Sequence, residues 1–363
     1  MTSIISRRAI LKTMAISGLG FSLTDSVFAN LQSKQMPNKE TKIFDPADGF
    51  GPITDAFILT DATVTKRDNR WWMYLAGRAQ NRESIELFSA SLPPGAPLAA
   101  TGWALTARQD DKTKIADLAG HEASQSWDLK GGRHCPSYVK GWDPKRRAEV
   151  ERIYYAGGAA NVWGPYSIGF LEWNGISWVD QPAPAFSANE DWEHGSVYEP
   201  NLIYHDGKWK MWYVAGSNQE DYLVQGYSES VDGRTNWTKH QIVFPAEEKV
   251  FDFCVTQTKL GYEAVFSRVF LGKGAPAATT GLWWCQAKSP TPRISDWSKP
   301  VQIMGMSNSP WHVGGPWKPS VQYSETDPNR MLVFFDGLYP RKEASPFPFV
   351  FTLGCVELTT PAT

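Results

Sequence analysis

Long apolar runs, paired cysteines and surplus positive charge are all scarce in this chain of 363 residues. Each scarcity closes off a class of function. Past the N-terminal segment no stretch approaches the ~18 consecutive apolar residues that a membrane-spanning helix needs, so no permanent membrane anchor is expected. Lys and Arg number 36 against 38 Asp and Glu, a formal charge of −2. Without a basic field, nucleic acid is not expected as a partner. The four cysteines, Cys135, Cys254, Cys285 and Cys355, form no CxxC or CxxCH spacing. A zinc ribbon, a redox pair and a haem attachment site all lack their ligands. Each cysteine lies in an apolar run, so buried free thiols are expected, although an oxidising compartment would permit disulfides. The six histidines are scattered at positions 121, 134, 194, 205, 240 and 312, so no metal centre is expected. HExxH, Gly-x-Ser-x-Gly and Gly-rich phosphate-loop motifs are missing, and no cofactor is expected.

Aromatic residues are abundant. They make up 13% of the chain, including 17 Trp, against 20% charged residues. That balance belongs to a globular protein with an all-β core or a surface that stacks on flat ligands.

The N-terminus reads Ser6-Arg7-Arg8-Ala9-Ile10-Leu11-Lys12, with a mildly apolar run from Met14 to Phe28 and a small-residue end at Val27-Phe28-Ala29. Charged start, apolar middle and small-residue end make a secretory signal over residues 1–29. The arginine pair resembles the twin-arginine export signal. The export machinery is then a partner, and the mature protein is periplasmic or secreted.

Residues 30–363 read as one domain built from a repeat. Five segments open with a short apolar strand that carries a polar residue near its start: Asp61-Ala62, His134-Cys135, Glu199-Pro200, Asp252-Phe253 and Lys318-Pro319. A turn follows, as in His205-Asp206-Gly207-Lys208, then an aromatic-rich strand such as Trp71–Leu75 or Lys210–Val214. These are hairpin signals. A third strand comes next, and in four units a Trp (Trp103, Trp178, Trp237, Trp297) stands just ahead of a fourth. Four-stranded antiparallel units repeated radially make an all-β, five-bladed β-propeller. The region from Ile43 to Ile58 is the candidate for the outer strand that the last unit lacks.

The first strand of a propeller blade lines the central channel. Asp61, His134, Glu199, Asp252 and Lys318 would therefore converge on one axis. Polar groups gathered there are costly to desolvate unless they meet water, ligand or one another. The plainer reading is a ring of structural polar groups around a wet channel. The sharper one is glycosidic cleavage, which needs one carboxyl to protonate the leaving oxygen and another to activate water or attack carbon. Asp61 and Glu199, on non-adjacent blades, would face each other. Sugar faces stack on indole rings, which makes Trp127, Trp163, Trp192, Trp311 and Trp317 candidate platforms. His194 is a candidate at the pocket mouth. Arg133 and Lys318, with Arg268, would suit an anionic group on the substrate.

The stretches Asp61–Tyr74 and Val197–Tyr213 resemble the first and third blades of the five-bladed arabinofuranosidases and xylosidases of glycoside hydrolase family 43, with invertase-like and mannoside-phosphorylase propellers as cousins. The resemblance implies that Asp61 is the general base and Glu199 the general acid, with inversion by single displacement. It departs at the second blade, where Arg133-His134-Cys135-Pro136 stands in place of an acidic residue that tunes the acid. His134 or Asp252 is the expected replacement; Asp55, Asp128, Asp191 and Glu193 are loop alternatives. Oligosaccharide or polysaccharide is the expected substrate. A non-catalytic carbohydrate-binding propeller and a glycoside phosphorylase are the competing readings.

Overall fold

The computed structural model describes residues 39–361, apart from 51–55, 80–84, 107–117, 122, 161–163, 218–221, 269–278, 307–308, 310, 313–314 and 341–348. The export segment, Asp55 and Trp163 lie outside the described residues. Among the described residues no helix is long and apolar enough to cross a membrane.

The first strand, β1 (Lys39–Phe44), belongs to the last blade. Blade one follows with β2 (Ala56–Arg67), β3 (Arg70–Ala79), β4 (Glu86–Ser91) and β5 (Ala104–Leu105); the short β6 (Ala119–His121) also pairs with β4. Blade two holds β7 (Gly132–Asp143), β8 (Ala148–Gly158), β9 (Tyr166–Trp173) and β10 (Trp178–Asp180). Blade three holds β11 (Val197–His205), β12 (Lys208–Ser217), β13 (Tyr222–Ser230) and β14 (Thr238–Phe244). Blade four holds β15 (Val250–Thr258), β16 (Gly261–Arg268), β17 (Gly281–Ala287) and β18 (Val301–Gly305). Blade five holds β19 (Pro316–Tyr323), β20 (Arg330–Pro340) and β21 (Phe349–Thr359).

Every pairing inside a blade is antiparallel, and the innermost strands β2, β7, β11, β15 and β19 touch in a closed ring. The fold is the expected five-bladed propeller. Its missing outer strand is β1, paired with β21 from Lys39↔Glu357 to Phe44↔Leu353. It therefore begins earlier than the expected Ile43–Ile58 segment, whose far end is already β2. Closure by the N-terminal strand hides the edge that β21 would otherwise expose.

Five apolar clusters each bridge two neighbouring blades. Leu59 and Phe88 of blade one meet Phe334 and Leu353 of blade five. The same holds at the other four seams. The repeated Trp is explained here. Trp103 packs edge-on against Phe334 of blade five, Trp178 against Tyr74 of blade one and Trp237 against Tyr154 of blade two. Each fills the wedge that opens between radiating sheets. Side chains also stitch the seams. Ser320 accepts the Val64 N–H at 2.9 Å, Ser137 accepts that of Leu202 at 3.1 Å and Asn201 that of Val255 at 2.9 Å. None of the four cysteines is in a disulfide; Cys135, Cys285 and Cys355 are buried and Cys254 is half-buried.

Candidate active site

Each innermost strand carries a bulge at the same place. Ladder pairing breaks between Thr60 and Thr63, His134 and Ser137, Tyr198 and Asn201, Phe251 and Cys254, and Trp317 and Ser320. The first residue inside each break is left-handed: Asp61 (φ 57°), Cys135 (φ 52°), Glu199 (φ 51°), Asp252 (φ 58°) and Lys318 (φ 48°). The second is Ala62, Pro136, Pro200, Phe253 or Pro319; the prolines suit a position that donates nothing to the ladder. A bulge re-aims its side chain. A left-handed non-glycine residue costs of order 1–3 kcal/mol and is kept where the surrounding structure fixes it. Five strained residues in register thus point one side chain per blade at the axis.

This register corrects the second blade. The axial residue is Cys135, one residue beyond the expected His134. His134 still pairs with Ala156 in the ladder, its Nε2 lies 3.2 Å from the Gly131 carbonyl, and its ring stands edge-on to Tyr166.

The hub is an ion-paired cluster in which all five side chains are buried. Lys318 Nζ lies 3.0 Å from Glu199 Oε2 and 3.4 Å from Asp252 Oδ1. The Cys135 N–H and thiol both donate to Asp61 Oδ2 at 3.3 Å. Single ligand atoms of Asp61, Cys135 and Glu199 lie within 4.8 Å of one another. That spacing would also suit a metal ion, but the ammonium of Lys318 already supplies the positive charge at this cluster. Asp252 and Glu199 share a hydrogen bond, and burial with the Glu199 charge pushes the Asp252 carboxyl well above the usual range, against the pull of Lys318. Burial alone would depress the Lys318 ammonium, but the charges of Glu199 and Asp252 hold it well above its ordinary value. The arrangement sets two carboxyls beside a buried cation, opposite a third carboxyl that accepts a thiol. Such a set can donate a proton on one side and accept one on the other.

In blades two to five the residue just before the hub residue joins an aromatic collar, completed by Tyr166 and Phe351. His134 contacts Tyr166 at 5.3 Å, Tyr166 contacts Tyr198 at 5.3 Å, and Tyr198 contacts Phe251 at 6.3 Å between ring centres. Phe251 then meets Trp317 at 4.9 Å and Trp317 meets Phe351 at 6.5 Å. Among the described residues, Trp317 is the one sequence-derived platform that stands in this collar. Tyr198 and Phe251 were legible only as neighbours of hub residues along the sequence, a signal that needs the bulge register to be read.

The remaining candidates lie elsewhere. Arg133 is fully buried, its guanidinium held by Asp128 at 3.0 Å and Asp180 at 2.8 Å. Trp192 lies parallel to Tyr213 and over Gly226, as Trp127 lies on Tyr155 and Gly169, and Trp311 on Phe335 and Gly354. Three indoles in equivalent places are blade packing. His194 is exposed and stacks on Tyr222 at 4.3 Å. Arg268 pairs with Glu248 at 2.8 Å. Of the loop acids, Asp128 holds Arg133 and the Tyr155 hydroxyl. Glu193 accepts the Asn189 N–H and the Tyr213 hydroxyl, and Asp191 is exposed.

No protein-family model matches the chain, and no curated protein matches it in sequence. Solved structures share its fold. A thermostable family-43 glycoside hydrolase is 14% identical, with a TM-score of 0.55 over 84% of this chain and 93% of its own length. The catalytic domain of the Coprinopsis cinerea GH62 α-L-arabinofuranosidase is 11% identical, with a TM-score of 0.53 over 83% and 90%. An α-L-arabinofuranosidase from Fusarium graminearum, solved with an iminosugar inhibitor, is 14% identical, with a TM-score of 0.52 over 90% and 99%. At these identities the likeness establishes the five-bladed propeller.

Proposed function

We propose that this chain is a glycoside hydrolase acting on oligosaccharides or polysaccharide side chains, with α-L-arabinofuranosides first among the substrates to try. The observation that carries the reading is the convergence of Asp61, Glu199 and Asp252 on one axis through left-handed bulges on three different blades. The hydrolase activity named for the structural neighbours supports it.

In this reading the Glu199–Asp252 pair holds the acid proton and passes it to the leaving oxygen. Asp61, fixed by the Cys135 N–H and thiol, takes the proton of the attacking water. The aromatic collar, with Trp317, offers apolar faces to the sugar. Single-displacement inversion demands room for that water, typically ~6.5–9.5 Å between the two carboxyls. Single oxygens of Asp61 and Glu199 lie within 4.8 Å of each other. The sugar therefore has to part them on binding; the unparted spacing favours retention, and NMR of the first-formed anomer separates the two.

Asp61→Asn and Glu199→Gln should each lower kcat on an aryl glycoside by at least ~100-fold, the scale of acid–base catalysis. Wild-type turnover in both variants would sink the assignment. A second reading rests on Lys318, whose ion pair with Glu199 opposes proton donation: the hub would then bind sugar without cleaving it. Saturable glycan binding with no product, with or without inorganic phosphate, would establish that reading over both hydrolase and phosphorylase. We also propose twin-arginine export; an Arg7→Lys, Arg8→Lys chain should remain in the cytoplasmic fraction.

A further inference from the structure

Blade five places a carboxyl at the hub that lies outside the strand-start pattern. Asp336 sits in β20 opposite Trp317 in the ladder and is fully buried. Its Oδ2 accepts the Thr60 hydroxyl at 2.5 Å and the Asp61 N–H at 2.8 Å. Both donors belong to β2, so the contact crosses the seam between the last blade and the first. The other oxygen, Oδ1, is buried with no hydrogen-bond partner among the described residues.

An ionised carboxylate in that place would strand one oxygen away from water and set a second negative charge against Asp61. A neutral carboxyl lowers the first cost and removes the second. We propose that Asp336 is the positioning residue for Asp61: it anchors the strained turn that carries Asp61 and holds the proton that Asp61 must not. The role rests on the reading of Asp61 as the base. The charged groups facing Asp336 are Asp61 from β2 and Lys318 from β19. Across β21 its ladder partner is the apolar Leu353, and His312, beside the neighbouring Gly337, pairs with Glu40 at 2.7 Å. Burial and the Asp61 charge hold the Asp336 carboxyl well above the usual range, although the Thr60 and Asp61 donors and Lys318 pull the other way.

The test compares wild type with Asp336→Asn and Asp336→Ala in the full mature chain. Difference infrared spectroscopy at neutral pH should show, beside the proton of the Glu199–Asp252 pair, a second protonated carboxyl in wild type that is missing from Asp336→Asn, and Asp61→Asn should shift its titration to lower pH. On an aryl glycoside, Asp336→Asn should keep kcat near wild type, because a carboxamide keeps the acceptor oxygen. Asp336→Ala should lose ~100-fold in kcat at unchanged KM, the scale of a displaced catalytic group. An ionised Asp336 in the infrared, or wild-type kcat in a folded Asp336→Ala, would overturn the proposal. If wild type cleaves no glycoside, the hydrolase reading fails on its own, while the infrared result still decides where the proton resides. If Asp336→Ala does not fold, Asp336→Asn and the infrared readout still decide it.

Discussion

Lys318 is the residue on which the hub's electrostatics turn. Its ammonium is buried between Glu199 and Asp252. Removing one member of a buried ion pair leaves the other charge uncompensated, at a cost of about 3–5 kcal/mol. Lys318→Met should therefore lower stability on that scale in urea unfolding and abolish turnover. If it is as stable as wild type, the cation does not balance the hub. Lys318 was legible in the sequence because a lone lysine at a strand start stands out in an apolar repeat. Cys135 was not, because His134 beside it is the more conspicuous polar residue. Only the ladder shows that the left-handed bulge position falls one residue later. Asp336 was missed for a similar reason: it closes the apolar run Met331–Phe335, where one charged residue reads as the end of a strand.

At the level of the element, the hairpins and the Trp ahead of the fourth strand were written in local sequence. The glycines of β9, β13 and β21 were not. A Cβ at Gly354 would lie 2.2 Å from the Trp311 ring, and one at Gly169 would lie 2.3 Å from Trp127. These glycines let an indole from a preceding loop lie flat on the sheet. Gly354→Val should cost about 1–3 kcal/mol through overpacking. Gly354→Val combined with Trp311→Ala should recover part of that loss, measured by chemical denaturation. No recovery would mean that the indole is not what the glycine accommodates. An abundance of Trp invites a sugar-platform reading, yet sequence alone cannot tell an indole on a ligand from one on a glycine two strands away.

For the whole molecule, pH is the informative variable. Asp252 and Asp336 are both held well above the usual carboxylate range. Their contribution to stability is complete below ~4, where the unfolded chain is protonated too. It declines as pH rises toward their folded-state values, because the unfolded chain ionises first. Glu193, Asp143 and Asp232 are held below their ordinary values, each by hydrogen bonds that outweigh burial. Their contribution is complete above ~4.5 and fades as pH falls. Stability should therefore form a dome, and Asp252→Asn with Asp336→Asn should flatten its descent at higher pH. An unchanged descent would show that these two groups do not govern it.

The order of strands, the number of blades and the axial residues of four of the five innermost strands follow from local patterning, because alternation and turn chemistry act over a few neighbours. The contacts at the hub do not. Asp61, Cys135, Glu199, Asp252, Lys318 and Asp336 come from strands spread along nearly the whole chain. The distances among them exist only once β1 closes on β21 and five bulges turn the same way. Proton placement depends on burial and on which charges face one another, and both are set by ring closure.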